Sequence, residues 1–157
     1  MKISVQLAKH LREVYQGGNW TYSSFKDVLE GIGWQQATTQ IASLNTIALL
    51  VYHSGYYIER TTRVLQGHPL EGSDKLSFMV PEINNKAQWQ ALVQKAFDDV
   101  ERCASLIEKL PDTIWSETFV SEKYGSYYRN FQGMIEHCHY HLGQIAIIKK
   151  LLNEGWK

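Results

Sequence analysis

Four long stretches of this chain repeat apolar residues at the three- and four-residue spacing of an amphipathic helix. The predicted helices cover about residues 4–15, 41–65, 85–110 and 127–153. Glycine or proline follows each stretch, and the alternation that is typical of strands is almost absent. A short helix through Leu29, capped by Ser23 or Ser24, is predicted between the first two. The pattern therefore predicts an all-α fold.

The connection between the second and third long helices is unusually long, at about residues 66–85. It contains two glycines and two prolines and shows no sustained period. A loop of this length suits a crossover in a helical bundle, and long loops in compact domains often carry function. We therefore predict one domain over residues 1–157, a four-helix bundle with a long crossover loop.

The second long helix is apolar around almost its whole circumference, which indicates burial on every side. His53 is the only histidine or charged residue between Ile41 and Ile58. A buried imidazole costs free energy unless its ring nitrogens have partners. We predict that His53 is a metal ligand, and the alternative is a core histidine hydrogen-bonded to a tyrosine.

In the fourth long helix, His137 and His141 are one helical turn apart on a mostly apolar stripe. This spacing lets both imidazoles bind one ion, although core histidines with hydrogen-bonded partners are the alternative. Cys138 is a weaker ligand candidate because it belongs to the neighbouring stripe. His139 lies about 200° around the helix from His137 and is predicted to be a surface residue. Glu136 is expected on the polar face, so no general base is assigned.

Composition and charge narrow the possible partners. Sixteen basic and sixteen acidic residues give a formal net charge of zero, so nothing in the composition favours nucleic acid or an anionic membrane. The longest apolar run, around Ile47 to Tyr52, is too short to span a bilayer. The chain begins without the apolar core of a signal peptide, and Cys103 and Cys138 lack C-x-x-C spacing. We expect a cytoplasmic protein with reduced, buried thiols.

Three imidazoles from two helices would leave one coordination position of a divalent ion open, which is typical of a catalytic site. Imidazole ligands suit several transition metals, among which we expect zinc or nickel. Gln144 is a candidate for supporting His141, and Tyr57, with Tyr56 and Arg60, for lining the pocket. Ordinary packing is the alternative for each of these residues. The expected partner is a small-molecule substrate.

Four segments together resemble the DinB-like (DinB/YfiT) superfamily of metal-binding four-helix bundles. They are Leu50-Val-Tyr-His-Ser-Gly-Tyr-Tyr57, His137-Cys-His-Tyr-His-Leu-Gly-Gln144, Gly18-Asn-Trp-Thr21 and Val64-Leu-Gln-Gly67. The resemblance covers nearly the whole chain. It implies that His53, His137 and His141 bind one metal ion.

The resemblance also implies a range of activities. Characterised relatives include metal-dependent transferases and isomerases that use low-molecular-weight thiols such as bacillithiol or mycothiol. We therefore expect a thiol-dependent S-transferase or a metal-assisted hydrolase, and the alternative is a non-catalytic metal-binding or stress-response interaction protein. Similar proteins often form dimers, and the second helix is more apolar than a small bundle needs, so a homodimer is expected.

Overall fold

The computed structural model describes residues 2–156, and within them it contains helices but no strand. The α-helices are α1 (Ile3–Gln16), α2 (Phe25–Leu29), α3 (Trp34–Thr38), α4 (Ile47–Leu65), α5 (Asp74–Ser77), α6 (Lys86–Ile107) and α7 (Tyr127–Asn153). Two 3-10 turns, Ile114–Ser116 and Glu122–Tyr124, and one isolated bridge between Thr118 and Ser126 lie between α6 and α7. The all-α prediction is confirmed.

Side-chain caps determine where most of these helices begin. Ser24, one of the two serines predicted as a cap, accepts a hydrogen bond from the backbone N–H three residues further on, and Asn85 and Ser126 do the same for α6 and α7. Thr46 caps α4 in the same way, so this helix begins six residues later than predicted. The apolar residues from Ile41 onward had extended the predicted helix, but Ile41 is buried outside it.

One other boundary and one whole helix differ from prediction. Helix α6 ends at Ile107, because the residues that lead to Pro111 form separate turns. Helix α3 was not predicted, since its five residues are too few to show a helical period. It packs against α4 and α6 and buries Ala37.

The four long helices pack so that each contacts two others. Helix α4 lies against α6 and α7, and α1 lies against the same two helices. Large apolar side chains fill the space between them, among them Leu11, Ile58, Ile107 and Phe131. This arrangement places α4 beside α7 and so brings His53 near His137.

Every residue of α4 is buried or half-buried, as its apolar circumference predicted. The rest of the chain covers this helix, so its composition gives no separate reason for self-association. Cys103 and Cys138 are free and buried, as predicted. Among residues 2–156, no helix combines the length and the apolar character that a bilayer crossing requires.

The crossover between α4 and α6 is more ordered than its sequence suggested, because it contains the one-turn helix α5. Ser73 caps this turn, and two tyrosines of α4 hold it in place. The backbone N–H of Ser73 donates to Tyr56 Oη (3.0 Å), and Tyr57 Oη donates to Asp74 Oδ1 (3.0 Å). The crossover therefore lies on the part of α4 that carries His53.

Candidate metal centre

His53 of α4 and His137 and His141 of α7 converge, with one potential ligand atom of each within 4.8 Å of the others. The Nε2 atom of His137 lies 3.1 Å from His53 Nε2 and 2.9 Å from His141 Nε2. Two nitrogens bound to one tetrahedral zinc ion would be about 3.3 Å apart, given Zn–N bonds of about 2.0–2.1 Å. The three rings therefore have nearly the spacing of a ligand set.

Hydrogen bonds to two of the rings decide which nitrogen carries a proton. His53 Nδ1 donates to the carbonyl oxygen of Ser77 (3.3 Å), and His141 Nδ1 donates to Gln144 Oε1 (2.7 Å). Both acceptors are carbonyl oxygens, which cannot donate, so each Nδ1 must carry the hydrogen. In the neutral rings, both Nε2 atoms then direct a lone pair toward His137.

His137 Nε2 cannot satisfy both neighbours by itself, because a neutral imidazole has at most one N–H. With no ion bound, at least one pair of nitrogens about 3 Å apart would lack a proton between them. A divalent cation accepts all three lone pairs at once. The residues present therefore fit a bound metal ion, and the hydrogen bonds at Nδ1 are the ones that commonly orient metal-bound histidines.

The surroundings also keep these imidazoles neutral, which is the form that binds metal. Burial, and to a smaller extent the neighbouring His141 and His53, lower the pKa of His137 to about 4. Burial likewise lowers the pKa of His53 and of His141, although hydrogen bonds to Ser77 and Gln144 oppose this effect. At neutral pH the three rings do not have to lose protons before an ion binds.

The group offers three potential protein ligands, and two of them, His53 and His137, line a cavity of about 630 Å³. The cavity walls include His53 and Tyr57 of α4, Asp74 and Phe78 of the crossover, and Arg129 and Gly133 of α7. This volume is within the range of about 300–1,000 Å³ for small-molecule sites. A ligand in the cavity could therefore reach an ion held by the histidines.

The two supporting residues that the sequence suggested also lie at the centre. Gln144 accepts the hydrogen bond from His141. The ring of Tyr57 packs edge-on against His53 and His137, with centroid distances of 5.3 and 5.2 Å. Tyr56 instead contacts the crossover, as described above.

His139 is not part of the cluster, but its predicted surface position is wrong. The side chain is half-buried, and its ring contacts His10 of α1 with a centroid distance of 5.6 Å. His139 Nδ1 donates to the carbonyl oxygen of Ile135 in its own helix (3.2 Å). Packing of α1 against α7 therefore partly buries a histidine that periodicity alone placed in solvent.

Sequence reasoning missed the residues that the crossover and the first turns of α7 contribute to the walls of the cavity. The ring of Phe78 lies over His53 with a centroid distance of 4.3 Å, and Asp74 and Arg129 line the cavity. Glu136, expected only on the polar face, is exposed and also lines the cavity. Arg129 precedes His137 by eight residues, and this spacing was the available signal that both share one face.

Comparison of the chain with family models, with curated proteins and with solved structures gave no match.

Proposed function

We propose that this chain is a metal-dependent enzyme of the DinB/YfiT type, in which His53, His137 and His141 hold a divalent transition metal. The carrying observation is the convergence of three Nε2 atoms at the wall of a cavity, with two of the rings, His53 and His141, oriented by hydrogen bonds at Nδ1. In this proposal the four long helices form a four-helix bundle with a long crossover, and the chain is one domain. Zinc and nickel are the preferred ions.

A divalent ion held by three neutral imidazoles lowers the pKa of a thiol or a water molecule bound to it. Of these two chemistries, we propose thiol-dependent S-transfer first and metal-assisted hydrolysis second. A hydrolase generally needs a protein group that accepts a proton from water. The two carboxylates at the cavity already have partners, since Asp74 accepts from Tyr57 and Glu136 accepts from Gln132 Nε2 (3.3 Å). A thiol is a stronger acid than water and would release its proton to solvent on binding the ion, so this reaction depends less on such a base.

The charges of the cavity suit a small polar thiol. Arg129 is the basic residue among those that line it, and Asp74 and Glu136 are acidic. Arg129 lies two helical turns before His137, which is about 12 Å along the axis of α7. A thiol that carries a carboxylate could bind Arg129 with one end and reach the histidines with the other. The free, buried cysteines also fit a reducing compartment, so we propose a cytoplasmic location.

Elemental analysis of the protein purified without a polyhistidine tag tests the first part of this proposal. We expect close to one equivalent of a transition metal in the wild type and in His139→Ala, and little in His141→Ala. A wild-type protein that contains no metal and does not take up zinc or nickel in a titration would overturn the proposal.

The second part is tested with the metal-loaded protein, an electrophilic bimane probe and a panel of bacillithiol, mycothiol and glutathione. S-transfer predicts conjugation that requires both the metal and one thiol, and that His141→Ala abolishes. Cleavage of a nitrophenyl ester without thiol, also dependent on the metal, would favour the hydrolase instead. A loaded protein that does neither would support the non-catalytic alternative.

A further inference from the structure

The ring of Phe78 is an apolar surface that the protein leaves open beside the candidate metal centre. Phenylalanine is commonly buried in folded proteins, but Phe78 is 40% exposed. One face of the ring covers His53, with a centroid distance of 4.3 Å and an angle of 30° between the ring planes. The side chain also lines the cavity of about 630 Å³. A flat group in the cavity could therefore stack on the part of the ring that His53 does not cover.

The position of Phe78 is fixed by the residue before it. Ser77 is fully buried, and its carbonyl oxygen accepts the hydrogen bond from His53 Nδ1 (3.3 Å). The hydroxyl of Ser77 donates to the carbonyl oxygen of Asp74 in the same turn (2.6 Å), and Tyr57 of α4 donates to the side chain of Asp74. This part of the crossover does not have to become ordered when a ligand binds, which lowers the free-energy cost of binding.

Phe78 and Arg129 lie at opposite ends of the cavity. Phe78 contacts His53, and His53 Nε2 lies 3.1 Å from His137 Nε2. Arg129 lies two helical turns before His137, and its Nη1 donates to the carbonyl oxygen of Tyr124 (2.8 Å), which precedes α7. The guanidinium is therefore held away from the histidines. A thiol that extends from Arg129 toward the histidines leaves the ring of Phe78 uncovered.

S-transfer requires a second substrate in the cavity, beside the thiol. The thiol loses its proton to solvent, and its sulfur forms a bond to a carbon of the second substrate. The bond from that carbon to a leaving group breaks, and the group departs as an anion. The reacting carbon must come within about 3–3.5 Å of the sulfur, so the second substrate binds at the cavity wall nearest the histidines. Phe78 supplies open surface at that wall.

The charges near Phe78 disfavour an anionic second substrate. Asp74 and Glu136 line the cavity, and Asp74 precedes Phe78 by four residues in the crossover. Aromatic rings also gain from stacking on one another beyond the area that they bury. We propose that Phe78 forms a subsite for an uncharged, flat aromatic electrophile, which stacks on its open face while the thiol extends toward Arg129. This inference rests on the S-transfer proposed above.

Binding of p-nitrobenzyl alcohol, which does not react with thiols, tests the subsite apart from any reaction. Isothermal titration calorimetry on the zinc-loaded protein should show binding by the wild type. Phe78→Leu keeps an apolar side chain beside His53 but removes the ring, so we expect binding to weaken roughly tenfold. Met79→Ala is the matched control, because Met79 is the next residue and is 57% exposed but does not line the cavity. This variant should bind as the wild type.

Kinetics with two electrophiles test whether the subsite selects the substrate. Phe78→Leu should raise KM for p-nitrobenzyl chloride roughly tenfold with little change in kcat. For iodoacetamide, which has no ring, kcat/KM should stay near the wild-type value. Zinc affinity should also be kept. If Phe78 served only to position His53, zinc affinity would fall and the reactions of both electrophiles would slow equally.

Three results would overturn the aromatic subsite. They are a wild type that does not bind p-nitrobenzyl alcohol, a Phe78→Leu variant that binds it no more weakly than Met79→Ala, and equal losses for the two electrophiles in Phe78→Leu. Failure of the proposed function gives a different pattern. A zinc-loaded protein that conjugates neither electrophile would contradict S-transfer, whereas Phe78-dependent binding of the alcohol would still support the subsite.

Discussion

Helix α7 carries histidines on two sides, and only one side belongs to the candidate metal centre. His137 and His141 face α4 and converge with His53, whereas His139 faces α1 and contacts His10. Both groups are partly buried, and burial lowers the pKa of His10 as it does for the cluster. Neither burial nor a shifted pKa therefore distinguishes a ligand from a core histidine.

The difference lies in the direction of the lone pairs and in the space beside them. In the cluster, acceptors behind His53 and His141 orient their Nε2 atoms toward a common point at a cavity wall. His139 donates from Nδ1 to its own helix, and its Nε2 is buried without a hydrogen-bond partner among residues 2–156. A candidate ligand set is thus defined by convergence and access.

The largest effect should come from removal of one ligand. His141→Ala leaves two imidazoles for the ion, and we expect its zinc affinity to fall by more than about 100-fold, beyond the usual effect of losing a supporting hydrogen bond. Competition with a chromophoric chelator measures this change. His139→Ala and His10→Ala are the matched controls and should bind as the wild type. Equal losses in His141→Ala and His139→Ala would remove the distinction between the two sides of α7.

A smaller loss should follow when the support behind His141 is removed. In Gln144→Leu, His141 Nδ1 loses its acceptor and the ring is free to rotate, so we expect zinc affinity to fall by about 10–100-fold. Gln132→Leu is the control, because this glutamine also lies on α7 but bonds to Glu136. The same chelator competition applies, and unchanged affinity in Gln144→Leu would show that packing alone orients His141.

The pH dependence of the stability of the metal-free protein should report the burial of the three histidines. The pKa of His137 is about 4 in the folded chain, below its ordinary value of 6.5, so the unfolded chain binds a proton first as pH falls. Stability should therefore decrease from about pH 6.5 toward about pH 4 and show no such contribution above that range. Urea unfolding of chelator-treated protein measures this trend.

His137→Gln serves as the comparison for that measurement, because it removes the titrating ring. Its stability should depend less on pH over the same interval. His53, His141 and His10 contribute with the same sign, so some dependence should remain in this variant. An equally steep curve in His137→Gln would contradict the prediction.

The sequence predicted the long helices well because their apolar period extends over many turns. The bounds of α7 are those predicted, since a serine caps one end and the period continues to the other. The prediction failed at α3, which is short, and before α4, where apolar residues precede the cap. Packing against neighbouring helices, which no local pattern records, determines those segments.

The candidate ligands were also visible in the sequence, since His53 interrupts an apolar helix and His137 and His141 are one turn apart. Their hydrogen-bond acceptors were only partly visible. Gln144 lies one turn beyond His141, but the acceptor for His53 is a backbone carbonyl, which every residue possesses. That carbonyl reaches His53 because the crossover folds back on α4, and this long-range contact leaves no periodic signal.

The smallest effect on stability, and the sharpest spatial test, should come from two glycines of α7. A Cβ atom added at Gly133 or at Gly143 would meet no heavy atom within 4 Å beyond its own stretch of helix, and of the two only Gly133 lines the cavity. Leucine at either position should stabilise the helix by up to about 1 kcal/mol, because glycine in a helix interior is unfavourable. Urea unfolding measures this gain.

Gly133→Leu should in addition lower the metal-dependent activity about tenfold or more while zinc affinity is kept, since the new side chain occupies the cavity and not the ligand set. Gly143→Leu should retain full activity. If both variants lose activity equally, substrate does not approach through this cavity. If Gly133→Leu loses zinc as well, the cavity and the ion cannot be treated as separate parts of the site.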